Sequence, residues 1–119
     1  MVVADFEAGL GTLSRLKAGY LDVLIVVAQP SAKALEAASR AEAMIREDSV
    51  GRVIIVANRV EGARDLERVH EAFPEREVVM VPDDRAIGAA DARGAAPFDL
   101  TPDAPAVRVV RTLAESLMQ

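Results

Sequence analysis

Three short clusters hold the side chains best suited to chemistry: Asp5-Phe6-Glu7-Ala8-Gly9, Ala57-Asn58-Arg59-Val60 and Pro82-Asp83-Asp84. A carboxylate leaving an apolar run, as Asp5 does, can orient a magnesium-bound water. A glycine shortly after it lets a backbone amide approach a terminal phosphate. The same two residues equally suit a plain strand end and turn. Asn58 offers both a donor and an acceptor to the edge of an adenine, and a guanidinium such as that of Arg59 can lie on its face. The plainer alternative is that Asn58 closes a turn and Arg59 is solvated. Pro82 and Asp83 form a rigid turn before Asp84, a good helix cap, and this needs no ligand. What singles the clusters out is that each is expected at the carboxyl end of a strand.

Other chemistries find little support. The chain has two lysines, Lys17 and Lys33, and neither follows a glycine-rich turn; Gly9-Leu10-Gly11 is too short for a phosphate-binding loop. A receiver-like signalling domain, which also needs a lysine after a late strand, is disfavoured for the same reason. His70 has no carboxylate or cysteine partner near it in sequence and reads as a surface or half-buried side chain. The serines lack nucleophile-elbow surroundings. No catalytic residue is therefore assigned.

The elements that must position these clusters are legible as four apolar runs: Val2 to Ala4, Val23 to Ala28, Val53 to Ala57 and Val78 to Val81. Such runs read as strands buried on both faces. From Ser31 to Glu47, Leu35, Ala38 and Ile45 recur at helical spacing with Lys33, Glu36 and Arg40 opposite, Ser31 as N-cap and Gly51 at a turn beyond the end. A second helix covers about Arg64 to Ala72, with Leu66, Val69 and Phe73 inward. Asp84 opens a short helix to Ala92, with Gly94 as its stop. Residues Ala95 to Pro105 read as irregular. A terminal helix then turns Val107, Val110, Leu113 and Leu117 inward and Arg108 and Arg111 to solvent. Alternating strands and helices imply one α/β domain over residues 1–119: three layers, a mostly parallel four-stranded sheet and helices on both faces.

Composition agrees. With 119 residues, 51% hydrophobic and 28% charged, the chain suits one compact domain. Fourteen basic against nineteen acidic side chains give a net charge of −5, which disfavours nucleic acid as a partner. No apolar run approaches the roughly 20 residues that span a bilayer, so no membrane is expected and the cytoplasm is the expected location. Zero cysteines and one histidine exclude disulfides, thiolate metal sites and multi-histidine zinc, and leave carboxylate-held magnesium as the plausible metal.

Taken in order, these segments resemble the carboxyl-terminal half of the MinD/ParA family of P-loop ATPases, above all its CooC-like, carbon monoxide dehydrogenase maturation branch. The resemblance spans Val2 to about Leu117. It implies that Asp5 and Gly9 belong to a Walker B and switch II segment, Asp5 holding magnesium indirectly through its water shell. It implies that Asn58 reads the adenine, beside Arg59, and that Pro82 and Asp83 line the base pocket, with ATP or ADP and magnesium as ligands and a partial P-loop NTPase-like fold. The family's glycine-rich loop and lysine stand before Walker B and are not in these 119 residues, nor are the branch's paired cysteines. Without the lysine the γ-phosphate lacks its electrostatic clamp, so the isolated chain is expected not to hydrolyse ATP. The alternative is a non-enzymatic interaction or regulatory module of the same fold.

The resemblance also implies that a strand is missing between Val2 to Asp5 and Val23 to Ala28. Unpaired amides buried in such a gap would each cost about 1–3 kcal/mol. Three repairs are expected to compete: direct pairing of those two strands, self-association with a second copy, or a partner chain bearing the P-loop.

Overall fold

The computed structural model describes residues 1–6, 21–45 and 50–119. Its scaffold is a parallel sheet of three strands, β1 (Leu21–Ala28), β2 (Val50–Val60) and β3 (Glu77–Pro82), in the order β1-β2-β3. The helices are α1 (Ala32–Ala43), α2 (Gly62–Ala72), α3 (Arg85–Ala92), the single turn α4 (Pro97–Leu100) and α5 (Pro105–Leu117). The α/β architecture, the parallel pairing and helices on both faces match the expectation from sequence.

β2 explains why the sheet holds together. Its run Ile54-Ile55-Val56-Ala57 is buried throughout, because residues of alternating parity face opposite helical layers. Ile55, Ala57 and Val60 pack with Leu35 and Ala38 of α1 and with Val69 and Phe73, on and just after α2. Ile54 and Val56 pack with Val81, Ala106 and, more loosely, Ile87 of α3 and Val109 and Leu113 of α5. A third cluster, Leu24, Ile45 and Val50, closes the amino-terminal end. Ser31 caps α1 as its type suggests, its hydroxyl accepting from the Ala34 amide at 3.2 Å. Arg76 donates to Glu42 at 2.6 Å in a half-buried pair that ties the approach to β3 onto α1.

Several expectations fail, each for a local reason. Val2 to Ala4 form no strand; Val2 and Val3 are almost fully exposed, so the sheet has three strands rather than four among the described residues, and direct pairing with β1 is not formed. No strand or helix among the described residues pairs with or covers them. Leu66 and Val110 face outward and Val109 packs inward in place of Val110, whereas Val107, Leu113 and Leu117 of the α5 stripe are packed as expected. The span read as irregular contains α4, started by Pro97, whose missing N–H costs nothing at a helix start. Arg111 is not simply solvated; it lies 5.2 Å from the Phe98 ring centre and donates to the Pro102 carbonyl, pinning α4 to α5. Gly94, by contrast, is the left-handed stop expected after α3, with φ +65°.

Gly51 lies not in a turn but inside β2, where its backbone passes close to β1. A Cβ there would sit 2.8 Å from the Asp22 carbonyl oxygen, closer than real contacts allow. Gly51→Ala is expected to destabilise the fold by about 1–3 kcal/mol through the strand displacement it forces, measured as a loss of urea midpoint.

Candidate functional site

Parallel pairing puts the carboxyl ends of all three strands on one edge, where ligands bind in sheets of this kind. From β1 come Gln29, Pro30 and the α1 cap Ser31; from β2, Asn58, Arg59 and Glu61; from β3, Pro82, Asp83 and Asp84. The register shifts between Ala57 and Val60 before Val60 meets Pro82. Within that irregularity Arg59 has φ +60°, the one non-glycine positive φ among the described residues. Such a bulge re-aims a side chain, here toward β3. The Arg59 guanidinium donates through Nε to Asp83 Oδ1 at 3.2 Å, and the Asp83 amide donates to the Val60 carbonyl at 3.0 Å.

Asp83 has a second partner. The Glu61 carboxyl hydrogen-bonds to it, and this bond and Asp83's charge raise Glu61 above the usual glutamate value. Asp83 is lowered in turn, first by the Glu61 bond, then by the Arg59 bond and the charges of Arg59 and Arg85. Glu61 stands at the N-cap of α2 without a side-chain cap bond, and its own amide donates to Asp65 Oδ2 at 2.8 Å. These groups are exposed, so salt screens them.

Asp84 works differently. Its Oδ1 accepts from the Ala86 amide at 3.0 Å, capping α3 as expected; its Oδ2 accepts from the Ala106 amide at 3.1 Å, in the first turn of α5. One carboxylate thus holds the starts of two helices. Only its role toward α3 was legible, because a cap supplied from 22 residues away leaves no mark in local spacing.

The structure therefore brings Asn58, Arg59, Pro82 and Asp83 to one edge. Asn58 is half-buried at the end of β2. Asp5 is exposed and ends no strand, and Gly9 lies outside the described residues. Among the described residues no group of three or more His, Asp or Glu is placed to hold a metal, and no helix is long and apolar enough to cross a membrane. A shallow groove of about 530 Å³ runs between β3 and α5, lined by Val79, Pro82, Val109 and Leu113, and meets the strand-end cluster only at Pro82.

No family model matches the chain. It is 28% identical over 102 residues to the carbon monoxide dehydrogenase accessory protein CooC of Rhodospirillum rubrum. The likeness is CooC-like. The alignment covers 85% of this chain but 39% of that protein, so the chain spans about two-fifths of its relative's length. With the parallel α/β sheet, this likeness is compatible with a partial P-loop NTPase-like fold.

Two outcomes are expected. Asp84→Ala should lower stability by about 2 kcal/mol in urea denaturation, since two helix-start amides lose their acceptor. In an NMR carboxylate titration, Glu61 should titrate above 4.5 and Asp83 below 3.8, and Arg59→Gln should move Asp83 back up. In sign, Asp83's contribution to stability is lost as pH falls through its lowered value, while that of Glu61, whose value is raised, is present at low pH and lost as pH rises through the raised value.

Proposed function

We propose that this chain is the carboxyl-terminal portion of a MinD/ParA/CooC-like nucleotide-binding ATPase, keeping the base-facing side of the site and unable to turn over ATP by itself. The observation that carries the reading is the meeting of Asn58, Arg59, Pro82 and Asp83 at one carboxyl edge of a parallel sheet, in a chain similar to CooC. In this reading Asn58 hydrogen-bonds the adenine, Arg59 lies against it, and Pro82 and Asp83 bound the pocket. Asp5 and Gly9 belong to the magnesium and phosphate side, Asp5 acting through a bound water. The helix starts at this edge already have acceptors: Ser31, Asp65 and Asp84 occupy amides that a phosphate would otherwise use. That leaves the phosphates to a glycine-rich loop with lysine, supplied by further sequence or a partner chain.

A second reading, an interaction or regulatory module, draws on β1. Ile25 and Val27 are 37% and 63% exposed on one face, and no strand among the described residues pairs with the outer edge of β1. An edge without charge from Val23 to Ala28 invites another strand, from a second copy or from a P-loop-bearing partner.

Titration with ADP, ATP and GTP separates the readings. ADP and ATP should shift the backbone resonances of Asn58 and of the neighbours of Pro82 at millimolar concentration, with GTP weaker, and phosphate release from ATP should stay at background. No shift at millimolar nucleotide would remove the adenine-pocket reading and leave the module.

A further inference from the structure

We propose that β1 is the contact strand of a symmetric dimer, in which two copies of this chain pair antiparallel through the outer edges of β1 about a two-fold axis at Val26. This dimer rests on the second reading above, in which β1 is an interaction edge, and assigns that edge to a second copy.

Among the described residues β1 pairs only with β2, so alternate residues along Leu21–Ala28 turn their main-chain donors and acceptors to the outer edge. A strand that pairs with its own copy meets a restriction that other partners do not impose. Every side chain is set against one from the same short stretch, so a charge near the axis faces its like. The stretch from Val23 to Ala28 carries no charge and is mostly β-branched, which suits self-pairing. Asp22 falls opposite Pro30 of the second copy, and the two Asp22 carboxylates stand at opposite ends of the strand pair.

The exposed side chains fix the register. A two-fold axis must pass beside a residue rather than between two, because the outward-turned residues alternate along each strand. Ile25 and Val27 are the register mates of Ile54 and Val56, and so lie on the face that α5 covers over β2 and leaves bare over β1. The axis at Val26 sets Ile25 against Val27 of the second copy, and Val27 against its Ile25, so the exposed apolar side chains of both copies cover one another as β-branched pairs. On the opposite face Leu24 meets Ala28, each already buried within its own chain. An axis at Val27 would set Ile25 against Gln29; an axis at Ile25 would set Val27 against Val23, which its own cluster already half-buries.

One strand pair is a small interface, so the dimer should dissociate on dilution. Sedimentation equilibrium of the whole chain from about 10 µM to about 1 mM should show the mass rising from that of one copy toward twice that value. Val27→Lys and Ile25→Lys should each hold the chain at the mass of one copy throughout, with circular dichroism unchanged, since both side chains are exposed. In a mixture of carbon-13-labelled and unlabelled wild-type chain, methyl contacts between Ile25 of one copy and Val27 of the other should appear, a readout that does not depend on either variant folding. A dimer that survives both lysine variants, or lacks those methyl contacts, would overturn the proposal. So would a single-copy mass at every concentration, and hydrogen exchange of the β1 amides then separates the two ideas. Fast exchange on the outward side leaves the edge to a different partner and keeps the interaction reading, whereas protection in a monomer means that the chain covers its own edge and removes that reading as well.

Discussion

Burial of β2 between two helical layers is the constraint from which the rest of the molecule follows. A strand whose consecutive residues Ile54 to Ala57 are all shielded must pair on both edges and be covered on both faces. Parallel partners satisfy both demands, because each crossover lays a helix on the sheet. Once the strands run the same way, their carboxyl ends share an edge, and residues far apart in sequence become neighbours. Arg59 and Asp83 share an edge for this reason, and the bulge at Arg59 completes their meeting.

Coverage is uneven across the sheet. β2 and β3 lie under α5 on one face, whereas β1 leaves Ile25 and Val27 bare on its corresponding side. β3 finishes in Pro82 and carries Glu77, whose carboxylate takes two bonds from Arg52, both features that discourage a further strand. β1 has neither between Val23 and Ala28. The two outer strands are thus chemically unlike.

How much of this was legible in the sequence depended on how local each signal was. Ser31, Asp84 and Gly94 announced helix ends because caps act over two or three residues. The cores of all three strands were read from valine and isoleucine runs, but β2 extends well past its apolar centre, through Gly51 at one end and Arg59 at the other. Val2 to Ala4 looked like strand by composition, and composition carries no information about whether a partner is within reach. The Asn58, Arg59, Pro82 and Asp83 grouping was legible through the strand-end rule. The bulge that turns Arg59, the opposite shifts of Glu61 and Asp83, and the second duty of Asp84 were not, since each depends on distances across the fold.

Asp84 narrows the amino-acid alphabet at its position. Two acceptor oxygens on a short stem serve two amides from different helices at once. Asparagine has one acceptor oxygen and would meet the other amide with a donor; serine has a single oxygen; glutamate would carry the same two oxygens one methylene too far from the backbone. The last helix of the chain is thereby seated on a two-atom hinge pin, and rewriting that one codon detunes the closing turn after β3 and the final layer of the sheet together.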